Sequence, residues 1–228
     1  MSVTGSLAEV RARVEAACAA AGRAPGSVTL VAVSKKQPQE AIREAYAAGQ
    51  RDFGENYAQE LRDKLAGLTD LPELRWHAIG PLQLNKARYV AGKVALVHTL
   101  DRVELAVELA RRAAGAVVRC LVEVNVGDEA QKGGVAPAAL EALLPALRAV
   151  DGIELAGLMC IPPLSDDAEA SRPHYRLLRS LRDLHLPGAL LSMGMSGDFE
   201  VAIQEGASHV RVGTAIFGAR PRREERPA

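Results

Sequence analysis

The chain has 228 residues, 48% hydrophobic and 25% charged, an ordinary globular composition with room for one large domain or two small ones. Its 28 Lys+Arg balance 28 Asp+Glu, which excludes the basic footprint of a nucleic-acid or anionic-membrane binder. Cys18, Cys120 and Cys160 are odd in number, far apart and without metal-ligand spacing, so they read as buried thiols of a reducing compartment.

The N-terminal stretch is not a signal peptide. Leu7, Val10, Val14, Ala17, Cys18 and Ala21 recur at helical spacing, which predicts an amphipathic helix packed on the fold. With no apolar run long enough to cross a bilayer, the expected location is cytoplasmic. Strand-like runs then follow in order: "VTLVAVSK" (28–35), "RDFG" (51–54), "RWHAIG" (75–80), "ALVHTL" (95–100), "VRCLVEVNV" (118–126), "IELAGLMCI" (153–161), "ALLSMGMS" (189–196) and "HVRVG" (209–213). Helical patterns lie between them, among them "QEAIREAYAAG" stopped by Gly49, "DRVELAVELARRAAG" stopped by Gly115, "PAALEALLPALRAVDG" stopped by Gly152, and a segment ending at Pro187–Gly188.

Alternating βα units predict a parallel sheet covered by helices. Eight of them at this length fit a single (β/α)8 TIM barrel with an extra N-terminal helix. A doubly wound sheet is the rival, but no GxGxxG follows the first strand. No linker or composition shift marks a second domain, so residues 1–228 read as one domain. The charged, proline-bearing end, 220–228, reads as a flexible tail.

In such a barrel the chemistry sits at the C-terminal ends of the strands. Those positions hold Ser34–Lys35, Gly54–Glu55–Asn56, His77 to Gly80, Asn125, Met159, Gly194–Met195–Ser196, Arg211 and Gly213–Thr214. The loops after strands seven and eight combine glycine, hydroxyls and the start of a helix near Asp198, the usual materials of a phosphate site. A lysine at the mouth is either a surface residue or a Schiff-base former, whose neutral amine desolvation or a nearby cation would supply. Strand alternation puts Val31, Val33 and Lys35 on one face and Ala32, Ser34 and Lys36 on the other, without saying which face looks inward. Lysine plus phosphate has two common uses, a pyridoxal phosphate (PLP) Schiff base and an aldolase-type Schiff base with a sugar phosphate. Arg211, two residues before Gly213, could face a pyridine nitrogen and keep it unprotonated, which weakens the ring as an electron sink.

"AVSKKQP", "FGENYAQE", "WHAIGPLQLNK", "GLMCIPP", "SMGMSGDFEVAI" and "VRVGTAIFGAR" resemble, in order and over residues 7 to 220, the blocks of the YggS/PROSC family of PLP homeostasis proteins. The resemblance implies a barrel like that of alanine racemase and PLP carried on Lys35. It implies that Ser196 and the Gly213–Thr214 turn hold the phosphate with the Met195 backbone close by. Arg211 would face the pyridine nitrogen and Asn56 would line the site. His77, Gln83 and Asn85 lie in a matching block, with a packed strand-end histidine expected at His77. Lys132 matches a loop lysine of the family and reads as a solvated side chain. Many members carry a second lysine directly before the proline, where this chain has Gln37, with Lys36 beside it instead.

Racemisation needs an acid/base on each face of the substrate carbon. The racemases that this barrel resembles take the second one, a tyrosine, from another domain, for which the chain leaves no room. Tyr46, Tyr57, Tyr89 and Tyr175 do not lie at strand ends. The expectation is therefore a monomeric PLP-binding protein that buffers or delivers the cofactor to PLP-dependent apoenzymes without robust catalysis. A small PLP-dependent amino-acid racemase, a class I aldolase and a purely structural barrel are the alternatives.

Overall fold

The computed structural model describes residues 2–129 and 131–218; the expected tail lies outside them. All eight strands form: β1 (Thr29–Val33), β2 (Asp52–Glu55), β3 (Arg75–Ala78), β4 (Leu96–Leu100), β5 (Val118–Glu123), β6 (Ile153–Met159), β7 (Leu190–Ser192) and β8 (His209–Val212). They pair in parallel and in chain order, and β8 closes on β1 through Thr29↔His209 to Ala32↔Val212. The helices are α1 (Val3–Ala20), α2 (Gln39–Ala47), α3 (Ala58–Gly67), α4 (Val103–Arg112), α5 (Leu140–Arg148), α6 (Arg172–His185), α7 (Phe199–Gln204) and α8 (Thr214–Phe217).

The strands are largely buried on both faces, because each face meets a different part of the interior. Leu30, Ala32, Phe53, Val97, Val122, Leu158, Val210 and Val212 belong to the large cluster shared with the helices, whereas Leu96, Leu121, Ala156 and Met159 fill a smaller one. Each Val, Leu, Phe or Met side chain among them, fully buried, contributes roughly 1.5–3 kcal/mol. Helix α1 buries Leu7, Val10, Val14, Ala17 and Cys18 and packs on α2, α7 and α8, covering the seam where β1 meets β8. No helix among the described residues is long and apolar enough to cross a membrane. The three cysteines are free and buried.

The differences from the sequence expectation lie at the mouth. Helix α3 escaped the helical patterns picked out above, and a 3-10 helix (Leu84–Tyr89) stands between β3 and β4, where Pro81 and Gly92 leave a short span. Six of the strands, all but β2 and β4, stop earlier than their expected runs. β7 ends at Ser192, not Ser196, because Gly194 takes φ +94°, and a Cβ there would lie 2.6 Å from the Cβ of Ala202. An L side chain would both strain and clash at that point. The residues freed by this early stop form the loop that rims the cavity.

Candidate functional site

A cavity of about 370 Å³ opens at the C-terminal ends of the strands, and Lys35, Asn56, Met195, Ser196, Arg211, Gly213 and Thr214 all line it. Val33 also lines it; β1 ends there, and Lys35 reaches the same side from the turn that follows. Lys36 does not: it is exposed, at φ 60°, with its ammonium 5.9 Å from the centre of the Tyr57 ring. The face left open by alternation is thus decided by the turn after β1. Gln37 lines the cavity as well, so an amide stands at the mouth where many relatives are expected to carry an amine.

Asn56 follows β2 directly and is held by close backbone packing. A Cβ at Gly80 would lie 2.3 Å from the Asn56 carbonyl oxygen. The Asn56 side-chain Oδ1 is buried without a hydrogen-bond partner, and an unsatisfied buried polar atom lining a cavity is a group waiting for a ligand. Gln83 lies beside a neighbouring cavity that Asn56 also borders; Asn85 is exposed on the 3-10 turn.

The loop after β7 is braced from behind by Asp198, which sequence reasoning treated only as a helix start. Its carboxylate accepts from Tyr175 Oη at 2.6 Å, Ser171 Oγ at 2.8 Å and the Met195 N–H at 2.7 Å. The Met195 carbonyl in turn accepts from the N–H groups of Asp198 and Phe199. The Met195 N–H is thus already given to Asp198, although Met195 itself lines the cavity. Among the described residues, the N–H groups of Ser196 and Gly197 have no protein acceptor. Thr214 opens α8, where a helix offers its first N–H groups no internal acceptor. Helices α7 and α8 have only 6 and 4 residues, so individual N–H and O–H donors, rather than a helix dipole, make this rim suited to an anion.

Arg211 is 4% exposed. Its guanidinium donates to Ser192 Oγ at 2.6 Å and to the Cys160 carbonyl at 2.9 Å. Below it runs a buried chain: Ser192 Oγ to His98 Nδ1 at 2.9 Å, His98 Nε2 to His77 Nδ1 at 3.0 Å, and His77 Nε2 to Asp52 Oδ1 at 3.1 Å. Burial alone would raise the Asp52 carboxyl, but its hydrogen bonds from Arg75 and His77 prevail and hold it at about 2. Ionised Asp52 accepts from His77 Nε2–H, and Ser192 Oγ accepts from Arg211; with both rings neutral, His77 Nδ1 accepts from His98 Nε2–H and His98 Nδ1 accepts from the Ser192 hydroxyl. Burial, then the neighbouring His77, Arg211 and His209, push His98 well below the usual histidine range, consistent with a neutral ring. His77 is buried on this chain, away from the residues lining the cavity. Periodicity marked these strands, but no spacing in the sequence pairs positions 52, 77, 98, 192 and 211.

Lys132 reaches the Pro162 carbonyl at 2.9 Å and pairs with Glu129, so it staples two mouth loops and is not simply solvated. No cluster of His, Cys, Asp or Glu among the described residues could hold a metal ion.

Residues 6–221 match the model of the alanine racemase N-terminal domain. A pyridoxal phosphate homeostasis protein of Pseudomonas aeruginosa is 49% identical over 222 residues, covering 96% of each chain, and one of Aquifex aeolicus is 46% identical, covering 96% of this chain and 99% of its own. This chain belongs to the pyridoxal phosphate homeostasis protein family. Among solved structures, PipY of Synechococcus elongatus PCC7942 with PLP bound aligns at a TM-score of 0.80, 39% identical, over 95% of this chain and all of PipY. Alanine racemase of Corynebacterium glutamicum aligns at 0.70 with 17% identity, over 95% of this chain and 62% of the racemase, a likeness of fold.

Proposed function

We propose that this chain binds PLP as a Schiff base on Lys35 and serves PLP homeostasis, holding the cofactor and yielding it to apoenzymes without robust turnover of a substrate. The observation that carries this reading is one cavity with three chemically distinct stations: the Lys35 amine, the donor rim of Ser196, Gly197 and Thr214, and the buried Arg211. The donor set fits PLP, and the orphaned Asn56 Oδ1 supplies a further polar contact. The names of the relatives and the PLP-bound PipY point the same way.

The Lys35 nitrogen would take the aldehyde carbon, with its two protons and the aldehyde oxygen leaving as water. Hydroxyls of Ser196 and Thr214, with the loop N–H groups, would hold the phosphate. When bound, PLP supplies an electron-withdrawing ring that acts strongly only with its pyridine nitrogen protonated. Arg211 stays cationic and can only donate, so it would leave that nitrogen unprotonated and the sink weak. Among the described cavity residues, Lys35 is the one side-chain amine, and the Asp198 carboxylate is engaged by three donors. That arrangement favours storage over proton abstraction on two faces. The same reading makes the protein a cytoplasmic monomer, in keeping with three free buried thiols.

The test is visible absorbance of the purified protein, then borohydride reduction and peptide mapping. A yellow protein labelled at Lys35 is the expected result; a label at Lys36, or none, overturns the site. Solvent deuterium entering Cα of an added amino acid at a steady rate would overturn the non-enzymatic part.

A further inference from the structure

Resting on that reading, we propose that Glu60 and Lys64 of α3 are positioning residues that decide which of two adjacent lysines meets the cofactor. The residues on either side of Lys35 are tied into one cluster. Ser34, fully buried, donates its hydroxyl to Glu55 Oε1 at 2.6 Å, and its carbonyl accepts from Lys64 Nζ at 2.7 Å. On the other side, the Lys36 backbone N–H donates to Glu60 Oε1 at 2.6 Å. Lys64 joins the two halves, reaching Glu55 Oε1 at 2.6 Å and Glu60 Oε1 at 2.7 Å. Its three ammonium donors are therefore all used, and it is only 4% exposed.

The turn itself explains why a clamp is needed. The Gln37 N–H closes on the Ser34 carbonyl at 3.0 Å, which makes Lys35 and Lys36 the two central residues. Lys36, the second of them, sits at φ 60°, a position where turns favour glycine or asparagine. A lysine has no preference for this backbone; it persists only where its surroundings over-determine it. Glu60 holds the N–H of the strained residue and Lys64 holds the carbonyl that starts the turn. With the turn so fixed, Lys35 lines the cavity and Lys36 lies outside it over Tyr57. Released, Lys36 would relax to negative φ, and the two amines would lose their fixed assignment.

The experiment uses the full-length protein stripped of PLP and given limiting PLP, with borohydride trapping at timed intervals and peptide mapping of Lys35 against Lys36. Wild type is expected to carry its label at Lys35. Glu60→Ala removes the acceptor of the Lys36 N–H and is expected to lower the rate of Lys35 labelling about tenfold, from the strain it releases, with a measurable share moving to Lys36. Glu60→Gln keeps a carbonyl oxygen for that N–H and is expected to restore most of the wild-type pattern, which a generic loss of stability would not do. Lys64→Met is expected to scatter the label similarly; should it fail to fold, the Glu60 pair decides the matter alone. Wild-type labelling of Lys35 in a folded Glu60→Ala overturns the clamp and leaves the PLP reading standing. Wild type without any label overturns the cofactor reading and the clamp with it.

Discussion

Lys64 and Arg211 are both cations, each 4% exposed, Lys64 on α3 against the ends of β1 and β2 and Arg211 on β8, lining the cavity. Lys64 is met by two carboxylates at 2.6 and 2.7 Å. Arg211 is met by a serine hydroxyl and a backbone carbonyl, and no carboxylate among the described residues lies within ion-pair distance of it. A buried cation answered by carboxylates spends its charge inside the scaffold; one answered by neutral acceptors leaves its charge for whatever enters the cavity. The carboxylic acids that Arg211 does feel are Glu123 and Asp198; burial, and then Asp101, push the Glu123 carboxyl up to about 7 against the pull of Arg211. The distinction separates a residue that shapes the site from one that acts in it.

The contrast is broken most directly by removing each cation. Lys64→Met strands Glu55 and Glu60, and Glu55 already has one buried oxygen without a partner. The PLP-free protein is expected to lose about 3–5 kcal/mol in a urea melt. Arg211→Met strands only neutral acceptors, at about 1–3 kcal/mol, partly offset by removal of a desolvated charge, so its loss should be under half that of Lys64→Met while retention of PLP falls. An Arg211→Met variant that melts below Lys64→Met would refute the distinction.

A second test concerns pH, because two groups that both feel Arg211, His209 and Glu123, titrate with opposite sign. Burial, and then the neighbouring His77, depress His209 from 6.5 to about 4. The unfolded chain therefore takes up this proton first as pH falls, and the stability present above pH 6.5 is lost between about 6.5 and 4, on the order of 3 kcal/mol. Glu123 is raised from 4.5 to about 7, so the folded state binds its proton more tightly. Its contribution is present below pH 4.5 and lost as pH rises toward 7. The slopes oppose each other between 4.5 and 6.5. Glu123→Gln is expected to steepen the rise of stability with pH in that window, and His209→Asn to flatten it, measured by melts in matched ionic strength. No change of slope in either variant would refute the assignment.

The smallest effect is on the anion rim. Ser196→Ala and Thr214→Val each remove one hydroxyl and leave the loop N–H groups in place, so each is expected to weaken PLP retention roughly tenfold, one charge-assisted hydrogen bond, without moving the melt. A Met195 substitution that preserves the backbone is expected to leave phosphate affinity unchanged, since the Met195 N–H already serves Asp198.

Much was legible in the residues themselves. The alternation of eight apolar runs with helical spacing carried the barrel, because a strand buried on both faces and a helix buried on one leave different periods in the chain. Once the barrel is granted, the strand ends named the cavity, and Lys35, Asn56, Ser196, Arg211, Gly213 and Thr214 all line it. Three things only closure of the barrel decided. Alternation predicted opposite faces for Lys35 and Lys36, but β1 ends at Val33 and both lysines sit in a strained turn that puts Lys35 on the cavity and Lys36 outside it. Met195 lay in the right loop, yet its N–H belongs to Asp198, a side-chain choice invisible to spacing. The chain from Asp52 through His77, His98 and Ser192 to Arg211 joins strands distant in sequence. Local sequence sets period and turn chemistry over a few residues, whereas hydrogen bonds across a barrel interior exist only after the last strand has paired with the first.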